Sequence, residues 1–268
     1  MNAAAIASPV DSSWQRAARF LALPLALVVL WQAWASTLPA DSPAPTPLRV
    51  MRAAVELILN GGLLSAITQS LGRVTLGFGC ALTLGVFLGL LMGSSRALRE
   101  NLDPIIESFR PIAPMALLPV AILWFGTGTP TALAIVAYAA FFPVVINTVH
   151  GVSRVDRKLV LAAQTMGVPR LTVLTRVILP GALASILLGA RLAMGVAWTA
   201  IIAAELAVGA KSGGGTSGGI GQMMFIFYAY SVELNSIVVC MIAVGLVALA
   251  LDRLLRELLR RAMPWTSP

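Results

Sequence analysis

Histidine occurs once in this chain, cysteine twice and tyrosine three times, and charged side chains make up only 11% of it. Each scarcity closes a class of function. The lone His150 has no plausible Cys or second His partner, so a zinc site has little support, and no Ser, His and acid constellation can be assembled around it. The chain is therefore read as doing no covalent chemistry itself, with no catalytic residue, no metal and no bound cofactor. Cys80 and Cys240 both fall inside apolar runs, which reads as two buried structural thiols rather than a disulfide or a metal pair. A soluble domain carries about 25% charged residues, so the shortage of charge points to a solvent other than water.

What fills the chain instead is apolar residues, 58% of the total, in long uninterrupted runs. A run of roughly 18 or more is long enough to cross a bilayer. The expected fold class is all-α, a polytopic membrane protein. A net charge of +8 could suggest nucleic acid, but the cations form no single patch interleaved with aromatics. They sit between the apolar runs, where membrane orientation needs them.

Six spans are expected. Residues 1–19 form a cytoplasmic N-terminal segment and 20–38 the first span, with 39–69 an external connector. The core, 70–251, holds spans at about Leu71–Met92, Pro111–Phe125 and Thr131–Val149, a fifth beginning at "ILPGALAS", and a sixth at about Ile237–Leu251. Residues 252–268 form a basic cytoplasmic tail helix. The Ala33-Trp34-Ala35 triplet resembles a signal-peptidase site, while Trp31 and Trp34 fit a retained interfacial anchor equally well. Gly72, Gly77, Gly79, Gly85 and Gly89 on the second span would let another helix come close. Pro111, Pro114 and Pro119 require the third span to be kinked or broken. Of the 19 Lys and Arg, 13 fall in segments placed inside and three, at 49, 52 and 211, in segments placed outside. That bias sets both termini in the cytoplasm.

The stretch "GAKSGGGTSGGIG" contains G-x-G-x-x-G at Gly213, Gly215 and Gly218. A dinucleotide site needs a preceding strand in a soluble unit, and a phosphate loop needs Gly directly before the Lys, where Ala210 stands. The segment is read as a flexible external hairpin before the last span, and Met223, Met224 and Tyr228 after it as packing residues.

The segment between the fourth and fifth spans, about 152–178, is the informative one. "LAAQTMGVPRLTVLTRVILP" reads as a short helix stopped by Gly167 and Val168-Pro169, then a helix that re-enters the membrane. Small residues at Ala162 and Ala163 admit another surface, and the flanking Arg and Lys offer charge complementarity. It looks like a docking element.

This pattern resembles the E-A-A-x-x-x-G…I-x-L-P loop of permease subunits in binding-protein-dependent ABC importers. "SLGRVTLGF", "LDPIIESFRPIAPMALLPVAILWFGTG", "FFPVVINTVHGV" and "VILPGALASILLGARLAMGVAWTAIIAAEL" are similar to the nitrate, sulfonate, taurine and bicarbonate branch, from about Ser70 to Leu251. Leu161 departs from the family, which usually has Glu there, and "KSGGGTSG" is an enlarged insert. The resemblance implies the MetI-like permease fold in an inner membrane. It also implies a coupling loop that includes Leu161, Ala162, Ala163, Gly167, Leu179 and Pro180. The implied partners are a separate ABC ATPase, a periplasmic solute-binding protein and a second permease subunit, as a homodimer or with a similar chain. The solute would be small and anionic, with a neutral pyrimidine-type precursor as the alternative.

Ionisable residues within spans are functional candidates by default, which nominates Arg73, Arg191 and Glu205 for the translocation path. Arg191 and Glu205 stand 14 residues apart on one helix, so they cannot pair with each other. The rival class is an ion-coupled secondary transporter, which would place coupling carboxylates or paired broken helices at the midplane. Glu205 is its one candidate, and no internal repeat is visible.

Overall fold

The computed structural model describes residues 13–37, 39, 44–209 and 218–262. All regular structure among them is helical: α1 (Ser13–Ser36), α2 (Pro47–Leu59), α3 (Gly62–Ser94), α4 (Arg96–Phe109), α5 (Leu118–Phe125), α6 (Thr129–Ser153), α7 (Arg157–Thr165), α8 (Arg170–Val173), α9 (Leu179–Gly209), α10 (Ile220–Ile226) and α11 (Leu234–Ala262). A single 3-10 turn, Pro114–Leu117, leads into α5, and π-turns follow α8 and α10.

Sequence punctuation sets these boundaries. Thr46 caps α2 by accepting from the Arg49 N–H at 3.3 Å, with Pro47 in the first turn, where a missing N–H costs nothing. The stretch expected to be a connector, 39–69, holds α2 and the first turns of α3, and Gly61 turns the chain between them at φ +69°. Only Ser95 separates α3 from α4: it caps α4, and Arg96–Glu100 and Arg99–Asp103 pair along that helix at i,i+4. Arg99 also donates to the Ser153 hydroxyl at 3.3 Å, tying α4 to the end of α6.

Among the described residues, four helical segments are long and apolar enough to cross a membrane: Gly62–Ser94, Thr129–Ser153, Arg170–Val208 and Leu234–Arg261. The expected third span is a pair, Arg96–Phe109 and Pro114–Phe125, bent by 86° across its break. The prolines named above account for that bend, since Pro111 and Pro114 cannot continue the hydrogen-bond ladder. The first expected span lies in α1, whose apolar helix among the described residues is Leu25–Ser36. Trp31 donates its ring N–H to the Pro45 carbonyl at 3.2 Å, so it anchors the connector, while Trp34 is exposed.

The core is a sandwich with α6 at its centre. On one side Gly77, Ala81, Gly85, Gly89 and Gly93 of α3 run at four-residue intervals against Val136, Ala140, Val144, Thr148 and Val152 of α6. A Cβ on Gly77, Gly85, Gly89 or Gly93 would stand 2.5–2.8 Å from those side chains. On the other side Gly151 of α6 meets Ala182 and Ser185, and Gly189 of α9 meets Pro143 and Asn147. The sequence placed this role on five glycines; Gly72 and Gly79 face open space, and Gly93 was missed. Cys240 is buried as expected, but Cys80 is exposed, on the side of α3 that carries Leu76 and Leu84 one turn either way.

Gly89→Val is expected to lower stability by about 1–3 kcal/mol through overpacking, whereas Gly79→Ala stays close to wild type. Thermal melting of the detergent-purified protein checks this; equal losses at both positions would remove close approach as the organising contact.

Candidate functional site

The segment between α6 and α9 begins where Asp156 accepts from the Lys158 N–H at 2.9 Å, capping α7. α7 ends in a paired closure: Gly167 N–H donates to the Gln164 carbonyl at 3.0 Å and Val168 N–H to the Ala163 carbonyl at 3.1 Å. This geometry needs a left-handed residue just past the helix, and Gly167 supplies it at φ +74°. A Cβ there would meet nothing within 4 Å, so glycine serves backbone conformation rather than space. Pro180 has no N–H for the Arg176 carbonyl, and the preceding turn, Leu174–Ile178, is wound as a π-turn.

Leu159, Leu161, Met166 and Leu171 of this segment all point outward, with Met166 76% exposed. Of the two alanines read as one small face, Ala162 is exposed and Ala163 is buried. The apolar surface is therefore carried by Leu161 and Ala162 with Leu159, Met166 and Leu171, which the sequence reading left out. Four large apolar side chains in an otherwise basic loop were the signal available. The ends of the segment are fixed: Val155, Ile178 and Leu179 pack on Val152, Ala182 and Ile186, at the junction of α6 and α9. Between the ends, a cavity of about 810 Å³ separates the loop from α3 and α6.

The three ionisable candidates fall into two separate places. Arg73 and Glu205 come together from positions 132 residues apart, with Arg73 Nη1 donating to Glu205 Oε1 at 2.8 Å. Glu205 is almost wholly buried. Its other oxygen accepts from the Gly221 N–H at 3.1 Å, and the Ser70 hydroxyl lies 2.8 and 3.0 Å from the two carboxylate oxygens. Ser70 in turn accepts from the Ile220 N–H at 2.9 Å. Glu205 and Ser70 thus satisfy the first free N–H groups of α10, a helix start where negative charge is favoured. Arg191 lies elsewhere on α9 and pairs with Asp252 of α11 at 2.9 Å, while Asp252 also accepts from Arg256 at 2.8 Å.

This cluster also accounts for part of the glycine stretch. Side chains at Gly219 or Gly221 would collide with Glu205, and one at Gly221 would also strike the Ile202 carbonyl. Gly218–Gly221 is a close-packed seat for a buried carboxylate, not a free hairpin. The hairpin reading otherwise falls on 210–217, outside the described residues, as do Gly213, Gly215 and Lys211. α10 itself was not foreseen. Met223 and Met224 pack against the core as expected, whereas Tyr228 is exposed.

Residues 81–263 match the family model described as binding-protein-dependent transport system inner membrane component. The chain belongs to this family. It is 36% identical to the taurine transport system permease protein TauC of Escherichia coli K12, covering 89% of this chain and 87% of that one. With the putative aliphatic sulfonates transport permease protein SsuC of Bacillus subtilis 168 the identity is 34%, over 92% and 87%. The bicarbonate transport system permease protein CmpB of Synechococcus elongatus is 33% identical over 92% and 91%. Two solved structures share the fold. An amino acid ABC transporter aligns with TM-score 0.60 at 17% identity over 77% of this chain and 97% of that one. The MetNI methionine ABC transporter, in inward-facing conformations, aligns with TM-score 0.55 at 20% identity over 73% and 95%. The protein is a permease subunit of an ABC transporter, a membrane transport component and not an enzyme. The family implies an ATPase and a solute-binding protein as partners.

Removing one member of a buried, hydrogen-bonded ion pair costs about 3–5 kcal/mol. Arg73→Met and Glu205→Gln are each expected to melt well below wild type, and the double variant by less than the sum of the two. Melting curves in detergent give the cycle; wild-type stability for Glu205→Gln would show that the carboxylate is not a structural tie.

Proposed function

We propose that this permease carries a small anionic solute, of the sulfonate, nitrate or bicarbonate type, inward across the inner membrane at the expense of ATP hydrolysed by a partner. In this reading α7 is the coupling helix, seated on the ATPase through Leu159, Leu161, Ala162, Met166 and Leu171. A periplasmic binding protein delivers the solute, and two copies of the chain enclose the path. α1 and the bent pair α4 and α5 complete six spans, with both termini in the cytoplasm. The charge distribution along the sequence supports that orientation, because it puts the basic α7–α8 segment and the basic end of α11 on one side.

The observation that carries the reading is the mounting of α7. Its outward face is apolar, its C-terminal turn is fixed by Gly167, and both ends of the segment are wedged into the α6–α9 junction. A push on α7 is therefore delivered to the two central helices rather than absorbed by the loop. A switch between openings needs differential contact in its two states, and a rigid exposed lever supplies it. The solute class rests on relatives named for sulfonate, taurine and bicarbonate transport.

ATP hydrolysis by the reconstituted permease with its ATPase and binding protein, across taurine, ethanesulfonate, nitrate, bicarbonate and a neutral pyrimidine, tests solute and coupling together. Because left-handed backbone costs an L-residue roughly 1–2 kcal/mol and Asn less than others, coupling should fall in the order Gly167, Gly167→Asn, Gly167→Ala, Gly167→Val. Stimulation by the pyrimidine alone would replace the anionic solute with a neutral one. Hydrolysis that never depends on this chain would remove the coupling role.

A further inference from the structure

Three of the cations within or beside the spans are accounted for or placed: Arg73 is held by Glu205, Arg191 by Asp252, and the third, Arg110, sits at the break of the bent pair. Arg110 is exposed, and its guanidinium makes no ion pair or hydrogen bond with any described residue. It lines a cavity of about 340 Å³ between the break, the middle of α6 and the middle of α9. No acidic residue lines that cavity. Its other polar groups are Tyr138 and Asn147. Tyr138 is committed, since its hydroxyl donates to the Phe109 carbonyl at 2.6 Å and so fixes the chain on one side of Arg110. Asn147 spends one amide hydrogen on the Pro143 carbonyl at 2.8 Å and keeps the second. The remaining wall is apolar, with Ile112, Phe142 and Ile146 on one side and Leu192 and Val196, both outward-facing on α9, on the other.

We propose that this cavity is an oxyanion way-station on the translocation path, in which Arg110 takes a sulfonate-type or comparable small oxyanion, Asn147 adds a neutral donor and the apolar wall holds a short alkyl group. The assignment to the path rests on the transport reading above. The acidic side chain that a cationic substrate would need is absent, while a guanidinium on a low-dielectric wall binds a planar or tetrahedral oxyanion through two parallel hydrogen bonds. An unpaired charge beside a broken helix marks a solute pathway rather than packing, because a packing charge in a membrane finds a partner, as Arg73 and Arg191 do. The pairing of those two cations leaves Arg110 as the one available to an anion among the three.

The test uses the permease–ATPase complex in lipid nanodiscs, without binding protein, titrated with ethanesulfonate and followed by its melting temperature. A ligand that binds the folded state raises that temperature along a saturating curve. Arg110→Gln is expected to shift the half-saturating concentration upward about tenfold or more, the loss of one charge-assisted contact. Arg110→Lys should recover part of the affinity, and Arg52→Gln, which removes the same charge on α2, should leave the curve unchanged. Ethyl methyl sulfone, similar in shape and uncharged, should give no saturating shift. Superimposable ethanesulfonate curves for wild type and Arg110→Gln, or an equal response to the sulfone, would overturn the proposal. So would a lower melting temperature of ligand-free Arg110→Gln, which would make Arg110 a structural residue. Stimulation of the wild-type ATPase by a loaded binding protein reads the importer function separately, so either can fail without the other.

Discussion

Close backbone approach between α3, α6 and α9 is the contact on which everything else in this permease depends. In a bilayer, lipid tails solvate Leu and Val as well as another helix does, so apolar bulk alone does not choose a partner. Small residues at four-residue spacing do choose one, because they expose backbone along a single line. Gly77, Ala81, Gly85, Gly89 and Gly93 form that line on α3, and α6 answers it with β-branched side chains from Val136 to Val152. α6 is consequently the reference frame. α9 packs on its other face through Gly151 and Gly189, and both ends of the segment that carries α7 and α8 attach where α6 and α9 meet.

Charge completes what close packing begins. Glu205 joins α9 to α3 through Arg73 and Ser70, and to the start of α10 through Gly221. Three partners on two elements, Arg73 and Ser70 of α3 and the Gly221 N–H of α10, converge on one carboxylate, and a side chain at Gly219 would run into its oxygens. Arg191 and Asp252 make a second tie, between α9 and α11. An ionisable residue inside a span is thus not sufficient to mark a transport path. What distinguishes one is whether the structure already supplies its counter-charge.

Four of the expected spans and the α7 turn were legible in the sequence because both are local. A run of apolar residues has a length, and Gly167 before Val168-Pro169 stops a helix whatever surrounds it. The broken third segment was legible for the same reason, in the spacing of its prolines. Pairings were not. Nothing in the separation of Arg73 from Glu205 announces that they meet, and the sequence nominated both as pore residues because it could see charge but not partners. α10 was hidden by the glycines before it, which read as freedom of the chain, although Gly219 is crowded by Glu205 and Gly218 by Gln222. Ala163 was misplaced because it stands about 100° round the helix from Ala162, far enough to turn one inward while the other faces out.

The division between paired and unpaired groups explains how one fold serves both anchoring and passage. A permease must keep most of its helices fixed to one another while the path between them opens and closes. Here the fixed part is the α3–α6–α9 sandwich with its buried ion pair, and the segment that carries α7 is anchored to it at both ends through Val155, Ile178 and Leu179. The 86° bend between α4 and the turn before α5 lies outside that sandwich. Tyr138 holds that bend against the middle of α6 by a side-chain bond rather than by packed backbone. A hydrogen bond to a loop carbonyl is more readily exchanged than interlocked glycines. In the proposed coupling role, movement of α6 driven from α7 would be transmitted through interlocked backbone to α3 and α9 and through a single side-chain bond to the bend, so the cavity wall would shift while the sandwich kept its register.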